Sequence, residues 1–231
     1  MLTSAMYHAE IERGTRRALQ SLRLYGTPLS HFTRKIRILL AEMGVSFEFV
    51  RPTSLLDANP ASYGDNPLMR VPTLVHGDLT VLDSDHIARY LVATFDRKDW
   101  FEVNTTDVGQ LDRLAVANGV MSNEVVLILA KRGGLTDLES VAYFRKLLTA
   151  IDSGLAWLDA HSDPTLGTFD YADIALICMW QHLLHYQLAQ GLDRYSRIAA
   201  RVARFADRPS VTSTTPERSL ADAAAAGWKP A

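Results

Sequence analysis

Apolar and polar residues alternate in short runs in the first part of the chain and recur at helical spacing in the rest. Leu22–Tyr25 and Val45–Val50 alternate as β-strands do, and between them apolar residues return every three or four positions. Ser30 is suited to cap this helix at its start, and Gly44 to follow its end. The order strand, helix, strand predicts two parallel strands joined by a right-handed crossover.

The next segment adds a hairpin and a second helix. Residues 52–70 are rich in Pro, Asn, Asp and Ser and are interpreted as irregular, with one short helix. Thr73–Val75 and Leu79–Leu82 flank His76-Gly-Asp78, which predicts a tight hairpin turn. Ser84 is expected to cap the following helix. The first half is therefore predicted to run β-α-β-loop-β-β-α.

From Asp99 onward the periodicity is helical throughout, and this shift predicts an α/β domain followed by an all-α domain. The predicted helices lie near 106–131, 137–160, 171–189, 194–206 and 216–226. The predicted divisions are an N-terminal extension at 1–21, a first domain at 22–96, a linker at 97–105 and a helical domain at 106–231.

Composition narrows the function classes. The 231 residues are 48% hydrophobic and 22% charged, with a formal net charge of −2, so no strong field attracts nucleic acid or an anionic membrane. Cys178 is the one cysteine and excludes an intramolecular disulfide. No uninterrupted apolar stretch is long enough to cross a bilayer. We expect a cytoplasmic protein with no nucleic-acid or membrane partner.

The N-terminal extension leaves three interpretations open. Residues 1–21 are Arg-rich and amphipathic and lack the apolar core of a signal peptide. They are compatible with a short helix, an organelle-type address, or a tail that results from an early start codon. Of these, a loosely packed extension on a cytoplasmic protein is the simplest expectation.

Four local patterns follow one another along the chain. They are Tyr25-Gly-Thr-Pro-Leu-Ser-His-Phe-Thr-Arg-Lys-Ile-Arg37, Asn66-Pro-Leu-Met-Arg-Val-Pro-Thr-Leu74, Asp83-Ser-Asp-His-Ile-Ala-Arg-Tyr-Leu91 and Asp170-Tyr-Ala-Asp-Ile-Ala175. Taken in order, they resemble the glutathione S-transferase family, and in particular bacterial transferases of the Ser-Pro-Phe type. His31 stands where those proteins usually carry proline. The resemblance implies a thioredoxin-like domain followed by a helical bundle, glutathione as co-substrate, no metal, and a homodimer that pairs each first domain with the partner's second domain.

Ser30 is the catalytic residue that the resemblance implies. A free thiol has a pKa of about 8.5, so an enzyme must favour the thiolate at neutral pH. A hydroxyl donor at a helix N-terminus does so through a hydrogen bond to sulfur and through the helix dipole. Thr27, on the same turn, is the alternative donor. By position alone, Ser30 would be an ordinary N-cap.

Glutathione-binding positions follow from the same resemblance. A cis peptide at Val71-Pro72 would present the Val71 backbone to the cysteinyl part of glutathione, whereas a trans proline starting an edge strand is the alternative. Ser84 would bind the γ-glutamyl carboxylate and Asp83 its ammonium, although both also suit a routine helix start. Arg70 is included with this group.

The electrophile site is implied to lie between the Ser30 loop and the first helix of the second domain and to hold a small apolar molecule. His31 is also considered as an acid or base. Met121 and Val125 are four residues apart and would form one wall. The candidates are Leu29, His31, Asn118, Met121, Ser122 and Val125.

Three further patterns are interpreted structurally. The basic run Arg34–Arg37 is expected to be a solvated helix face. Asp170 is expected to cap the N–H of Asp173 and so to serve folding. His182 and His185 have a spacing that suits a metal, but no companion acidic or cysteine ligand is expected nearby, so no metal site is expected.

The predicted reaction is attack of the glutathione thiolate on an apolar electrophile. The absence of Cys-x-x-Cys argues against thiol–disulfide exchange through a protein cysteine. Two alternatives remain: a glutathione-dependent lyase, isomerase, dehalogenase or peroxidase on the same fold, and a non-catalytic transferase-like binding module.

Overall fold

A computed structural model describes residues 21–52, 54, 57–96 and 98–228. Apart from residue 21, the predicted N-terminal extension lies outside these residues. The chain divides into two compact units. The first runs to Asn104 and includes the C-terminal residues from Ala223 onward, and the second is Thr105–Asp222.

The first unit is built on a four-stranded mixed sheet with the strand order β2-β1-β3-β4. β1 runs parallel to β2 and antiparallel to β3, and β3 runs antiparallel to β4. The predicted crossover between parallel strands is therefore present. The strands are β1 (Leu22–Tyr25), β2 (Glu48–Val50), β3 (Thr73–His76) and β4 (Leu79–Leu82).

Two strand boundaries differ from the sequence prediction. β2 begins at Glu48 rather than Val45, because the ladder with β1 starts where Glu48 pairs with Arg23. His76 belongs to β3 rather than to the turn, since its backbone pairs with Leu22 on one side and Leu79 on the other. The hairpin turn is therefore only two residues long.

Two helices, α1 (His31–Glu42) and α2 (Ser84–Phe95), pack against each other, and α2 also contacts β3 and β4. A short 3-10 helix, Pro60–Tyr63, lies in the segment predicted to be irregular. The core of this unit consists of fully buried aliphatic side chains from both helices and the sheet. They include Leu24, Ile36, Leu39, Leu74, Ile87 and Leu91.

The second unit is helical, as predicted. α3 packs against α4 and α5, and α6 packs against α4 and α5. Every residue of α5 from Tyr171 to Trp180 is buried, so this helix forms the centre of the unit. The helices are α3 (Val108–Arg132), α4 (Ala142–His161), α5 (Tyr171–Tyr186), α6 (Ser196–Phe205), α7 (Pro209–Thr212) and α8 (Pro216–Ala225), with a 3-10 helix at Leu192–Arg194, and the end of α8 from Ala223 belongs to the first unit.

One helix of the described residues, α3, is long and apolar enough to cross a membrane by length and composition. By this criterion, the expectation from the sequence that no apolar stretch is long enough to span a bilayer was wrong. Core helices of soluble proteins meet the same test, and α3 packs against two helices of its own unit.

The start of α5 is held by a buried network of charges. Asp170 accepts a hydrogen bond from the Asp173 N–H at 2.7 Å, and its own N–H donates to the Asp173 carboxylate at 3.2 Å, so the predicted cap is present as a reciprocal capping box. Arg113 donates to Asp170 at 2.7 Å, and Arg201 donates to both carboxylate oxygens of Asp173 at 2.8 and 2.6 Å. These four side chains join α3, α5 and α6.

Candidate active site

Ser30 caps α1 in a way that leaves its hydroxyl proton for another acceptor. Its Oγ accepts the N–H of Thr33 at 3.1 Å, and its backbone N–H donates to the Thr27 carbonyl at 3.2 Å. Within the described ranges, no group accepts the Ser30 O–H. The side chain thus combines a cap with an available donor at the positive end of a helix.

Gly26 allows the chain to turn this tightly from β1 into α1. A Cβ at this position would lie 2.2 Å from Thr33 Cγ2 and 3.0 Å from the Phe49 ring. Any larger residue would therefore push the turn away from the first turn of α1. The glycine places Ser30 where the resemblance expects the sulfur donor.

The neighbours of Ser30 differ in exposure. Thr27 is buried and holds the turn through its carbonyl, and Leu29 is half-buried. His31, the first residue of α1, is 3% exposed, and its ring lies 4.7 Å from that of Phe32. Their roles toward sulfur or electrophile stay predictions.

The basic run on α1 is not a solvated face, so that prediction was wrong for two of its members. Arg34 is 3% exposed and Lys35 is fully buried. The Lys35 ammonium lies 2.5 Å from the Asp85 carboxylate, on the first turn of α2. Arg37 is half-buried, with its guanidinium 5.1 Å from the centre of the Phe49 ring. Because α1 packs against α2, its polar residues also face the interior.

The Val71-Pro72 peptide bond is cis, as the resemblance implies. Val71 is half-buried and Pro72 is buried. Among the described residues, neither the N–H nor the C=O of Val71 has a hydrogen-bond partner. Both groups are therefore available to the backbone of a ligand.

Asn66 holds the loop before this bond and was missed by sequence reasoning. It is 3% exposed, and its amide donates to the Arg70 carbonyl at 2.9 Å and to Thr73 Oγ1 at 3.1 Å. Its Oδ1 accepts the Leu68 N–H at 2.9 Å. Arg70 itself is exposed. The signal was the Asn-Pro dipeptide, which is typical of a structured turn.

Asp83, and not Ser84, is the N-cap of α2, which corrects the sequence prediction. Asp83 has φ of 70°, and its Oδ1 accepts the N–H groups of Asp85 at 2.9 Å and His86 at 3.3 Å. With ψ of 135° the backbone of Asp83 is not helical, so Asp83 precedes the helix as its cap and Ser84 is the first helical residue. Asp83 is exposed and Ser84 is 4% exposed.

The α3 residues proposed for the electrophile site do not share one environment. Met121 is fully buried, whereas Val125 is 36% exposed. Ser122 is exposed and donates its hydroxyl to the Asn118 carbonyl at 2.8 Å. The predicted wall of Met121 and Val125 stays a prediction.

Two histidines of α5 pair with different acids. His182 contacts Glu124 of α3 through a short, buried contact, and His185 lies 3.2 Å from Glu217. The two rings therefore do not converge on one metal, although the expectation that no acid lies near His182 was wrong. Burial raises the pKa of the Glu124 carboxyl well above its ordinary range.

Comparison with known proteins shows what the first unit is similar to. Residues 24–99 match the family described as "Glutathione S-transferase, N-terminal domain". Glutathione S-transferase 4 of Zea mays is 36% identical over 78 residues, which cover 32% of this chain and 34% of that protein. The chain thus matches only about a third of the length of its curated relatives.

Solved structures extend the similarity to both units. A glutathione S-transferase from Methylobacillus flagellatus with bound glutathione has a TM-score of 0.70 and 27% identity, and the match covers 85% of this chain and 100% of that chain. A glutathione transferase family member from Pseudomonas fluorescens with bound glutathione has a TM-score of 0.69 and 25% identity, covering 85% and 99%. The fold is a thioredoxin-like domain followed by a helical domain. The chain is thus similar to glutathione S-transferases, in sequence over residues 24–99 and in fold over both units.

Proposed function

We propose that this protein is a glutathione transferase in which Ser30 stabilises the thiolate of bound glutathione. The observation that carries the proposal is the Ser30 hydroxyl, which accepts the Thr33 N–H and keeps its own proton at the N-terminus of α1. A hydrogen bond from this proton and the positive end of the helix both favour a sulfur anion.

Other groups of the first unit are suited to bind the rest of glutathione. The Val71 N–H and C=O, without partners among the described residues, suit the cysteinyl backbone. At the start of α2, Asp83 uses one carboxylate oxygen as the cap, and its exposed position leaves the other for the γ-glutamyl ammonium. The first N–H groups of α2, together with Ser84, suit the γ-glutamyl carboxylate.

The proposed second substrate is a small apolar electrophile. The thiolate sulfur forms a bond to the electrophilic carbon, and the leaving group departs with the bonding electrons. Leu29, His31, Asn118, Met121, Ser122 and Val125 are the proposed contacts. We also propose a cytoplasmic homodimer, for which sedimentation should give a mass of about two chains.

Replacing Ser30 tests the proposal. Ser30→Ala should lower kcat about 10²–10³-fold, the scale for loss of one donor to a developing anion. Glutathione affinity, measured by calorimetry, should change less than about threefold, because the other contacts remain. The assay is conjugation of a haloaromatic electrophile.

Ser30→Asp is the matched control for helix capping. Aspartate caps a helix about as well as serine but, when ionised, donates no hydrogen bond and repels a thiolate. This variant should therefore fold normally and remain inactive. Activity restored by aspartate would assign the effect of Ser30 to capping, and retention on glutathione without conjugation of any electrophile would leave a binding function only.

A further inference from the structure

Lys35 and Asp85 form an ion pair inside the first unit. The Lys35 side chain is fully buried and that of Asp85 is 30% exposed, and the ammonium lies 2.5 Å from the carboxylate. Lysine is among the residues least often buried completely, and a buried ammonium is costly unless it is paired. The cost suggests that this contact serves something other than the stability of the unit.

The position of the pair links the two ends of the proposed glutathione site. Lys35 lies on α1, five residues after the helix cap formed by Ser30. Asp85 lies on the first turn of α2, where its N–H donates to Asp83 Oδ1 at 2.9 Å. The pair therefore joins the helix that presents the sulfur donor to the turn that presents the γ-glutamyl contacts.

The same lysine is fixed by a second contact on its own helix. Its ammonium lies 5.7 Å from the centre of the Phe32 ring, on the first turn of α1. An ammonium held between an aromatic face and a carboxylate has little freedom to move. Lys35 thus connects the first turn of α1 with the first turn of α2.

We propose that Lys35, through Asp85, is a positioning residue that sets the spacing between the sulfur and γ-glutamyl ends of the glutathione site. The inference rests on the proposed function. A rigid spacing lets a single tripeptide reach Ser30 and the Asp83–Ser84 turn at once. Without the pair, the start of α2 is no longer held at a fixed distance from α1. Glutathione then cannot contact Ser30 and the Asp83–Ser84 turn at the same time.

If Lys35 has this role, its loss should weaken glutathione binding more than it lowers kcat. Lys35→Met and Asp85→Asn should each weaken glutathione binding about tenfold, since misplacement by a fraction of an ångström loses contacts. At saturating glutathione, kcat should fall less than about threefold, because the Ser30 hydroxyl still meets the sulfur. Ser30→Ala should have the opposite effect, since it should lower kcat and change glutathione affinity little. A purely structural role would lower the melting temperature and leave the dissociation constant unchanged.

The experiment is calorimetric titration of glutathione into the wild-type protein, the two single variants and the double variant. Because the two residues act as one unit, the double variant should bind no more weakly than either single variant. Arg37→Met is the control, since it removes one positive charge from the same helix and leaves both Lys35 and Asp85 in the chain.

Each result decides the inference. An unchanged dissociation constant in the folded single variants, or an equal loss in Arg37→Met, overturns it while the proposed function stands. If Lys35→Met fails to fold, Asp85→Asn decides alone, because asparagine keeps the shape of a side chain that is partly exposed. If the wild-type protein binds no glutathione, the proposed function fails and the inference falls with it.

Discussion

Asp83 and Asp170 each cap a helix, and the two aspartates have opposite surroundings. Asp83 of α2 is exposed and uses one carboxylate oxygen to cap its helix. Asp170 of α5 is 3% exposed, caps with one oxygen and accepts from Arg113 with the other. The same local motif thus leaves an oxygen available for the proposed binding of glutathione at Asp83, whereas at Asp170 arginine side chains complete a network that serves folding.

The largest expected effect is a loss of stability when the buried charged network at the start of α5 is broken. Arg201→Met removes the partner of Asp173 and leaves its carboxylate buried, which should lower the free energy of unfolding by about 3–5 kcal/mol. Arg201 also donates to the carbonyls of Asp163, Leu166 and Thr168, so the loop before α5 loses its support as well. Chemical denaturation measures the change.

The Arg201 result has a surface control. Arg218 and Asp222 form an exposed pair on α8 at 3.0 Å. Arg218→Met should change stability by less than about 0.5 kcal/mol. Comparable losses in the two variants would mean that the Asp173 network is no more important to folding than a surface ion pair.

The second prediction applies one substitution to both helix starts. Asparagine caps a helix as well as aspartate, so Asp→Asn removes charge and keeps the cap. Asp83→Asn should weaken glutathione binding by about 1.5 kcal/mol, the scale for one charged hydrogen bond, with stability unchanged. Asp170→Asn should lower stability by about 2 kcal/mol through its pair with Arg113 and leave glutathione affinity unchanged.

Calorimetry and denaturation on the same two variants decide between these outcomes. If Asp83→Asn destabilises the protein and binds glutathione normally, Asp83 is only a cap. If Asp170→Asn weakens binding without a loss of stability, the separation of roles fails.

The third and smallest effect concerns Glu124, the buried acid of α3. Burial raises the pKa of Glu124 above its ordinary value of 4.5. The protonated side chain therefore contributes fully to the free energy of unfolding below pH 4.5, and this contribution is lost as the pH rises through the raised pKa. Glutamine mimics the protonated acid. The stability of Glu124→Gln relative to wild type should therefore increase between about pH 5 and pH 8.

Glu217→Gln is the matched control for this titration. Glu217 also contacts a histidine, but its side chain is 72% exposed. Denaturation across this pH range should show no comparable rise for this variant. A relative stability of Glu124→Gln that does not rise over this range would contradict a raised pKa of the Glu124 carboxyl.

The elements of both units follow from local pattern, and so do two of the caps. Alternation marks β1, helical spacing marks α1 and α5, and Ser30 and Asp170 cap their helices because short polar side chains accept nearby N–H groups. At Asp83 the prediction missed by one residue, since both Asp83 and Ser84 are suitable caps and only the backbone conformation distinguishes them.

The contacts between distant residues could not be predicted from one sequence. Lys35 and Asp85 are 50 residues apart, and Glu124 and His182 are 58 apart. Helical periodicity indicates which face is apolar but not which charged residue has a partner across the packing interface. A single glutamate on the buried face of α3, among Val120 and Leu127, was the available signal.

The central claim is that the Ser30 hydroxyl stabilises the glutathione thiolate, and the pKa of the bound thiol tests it most directly. Thiolate ultraviolet absorbance, followed against pH at saturating glutathione, gives this pKa for wild type and Ser30→Ala. We predict a pKa clearly below the free value of about 8.5 in the wild-type complex and a return close to that value in Ser30→Ala. The same lowered pKa in both proteins would contradict the account.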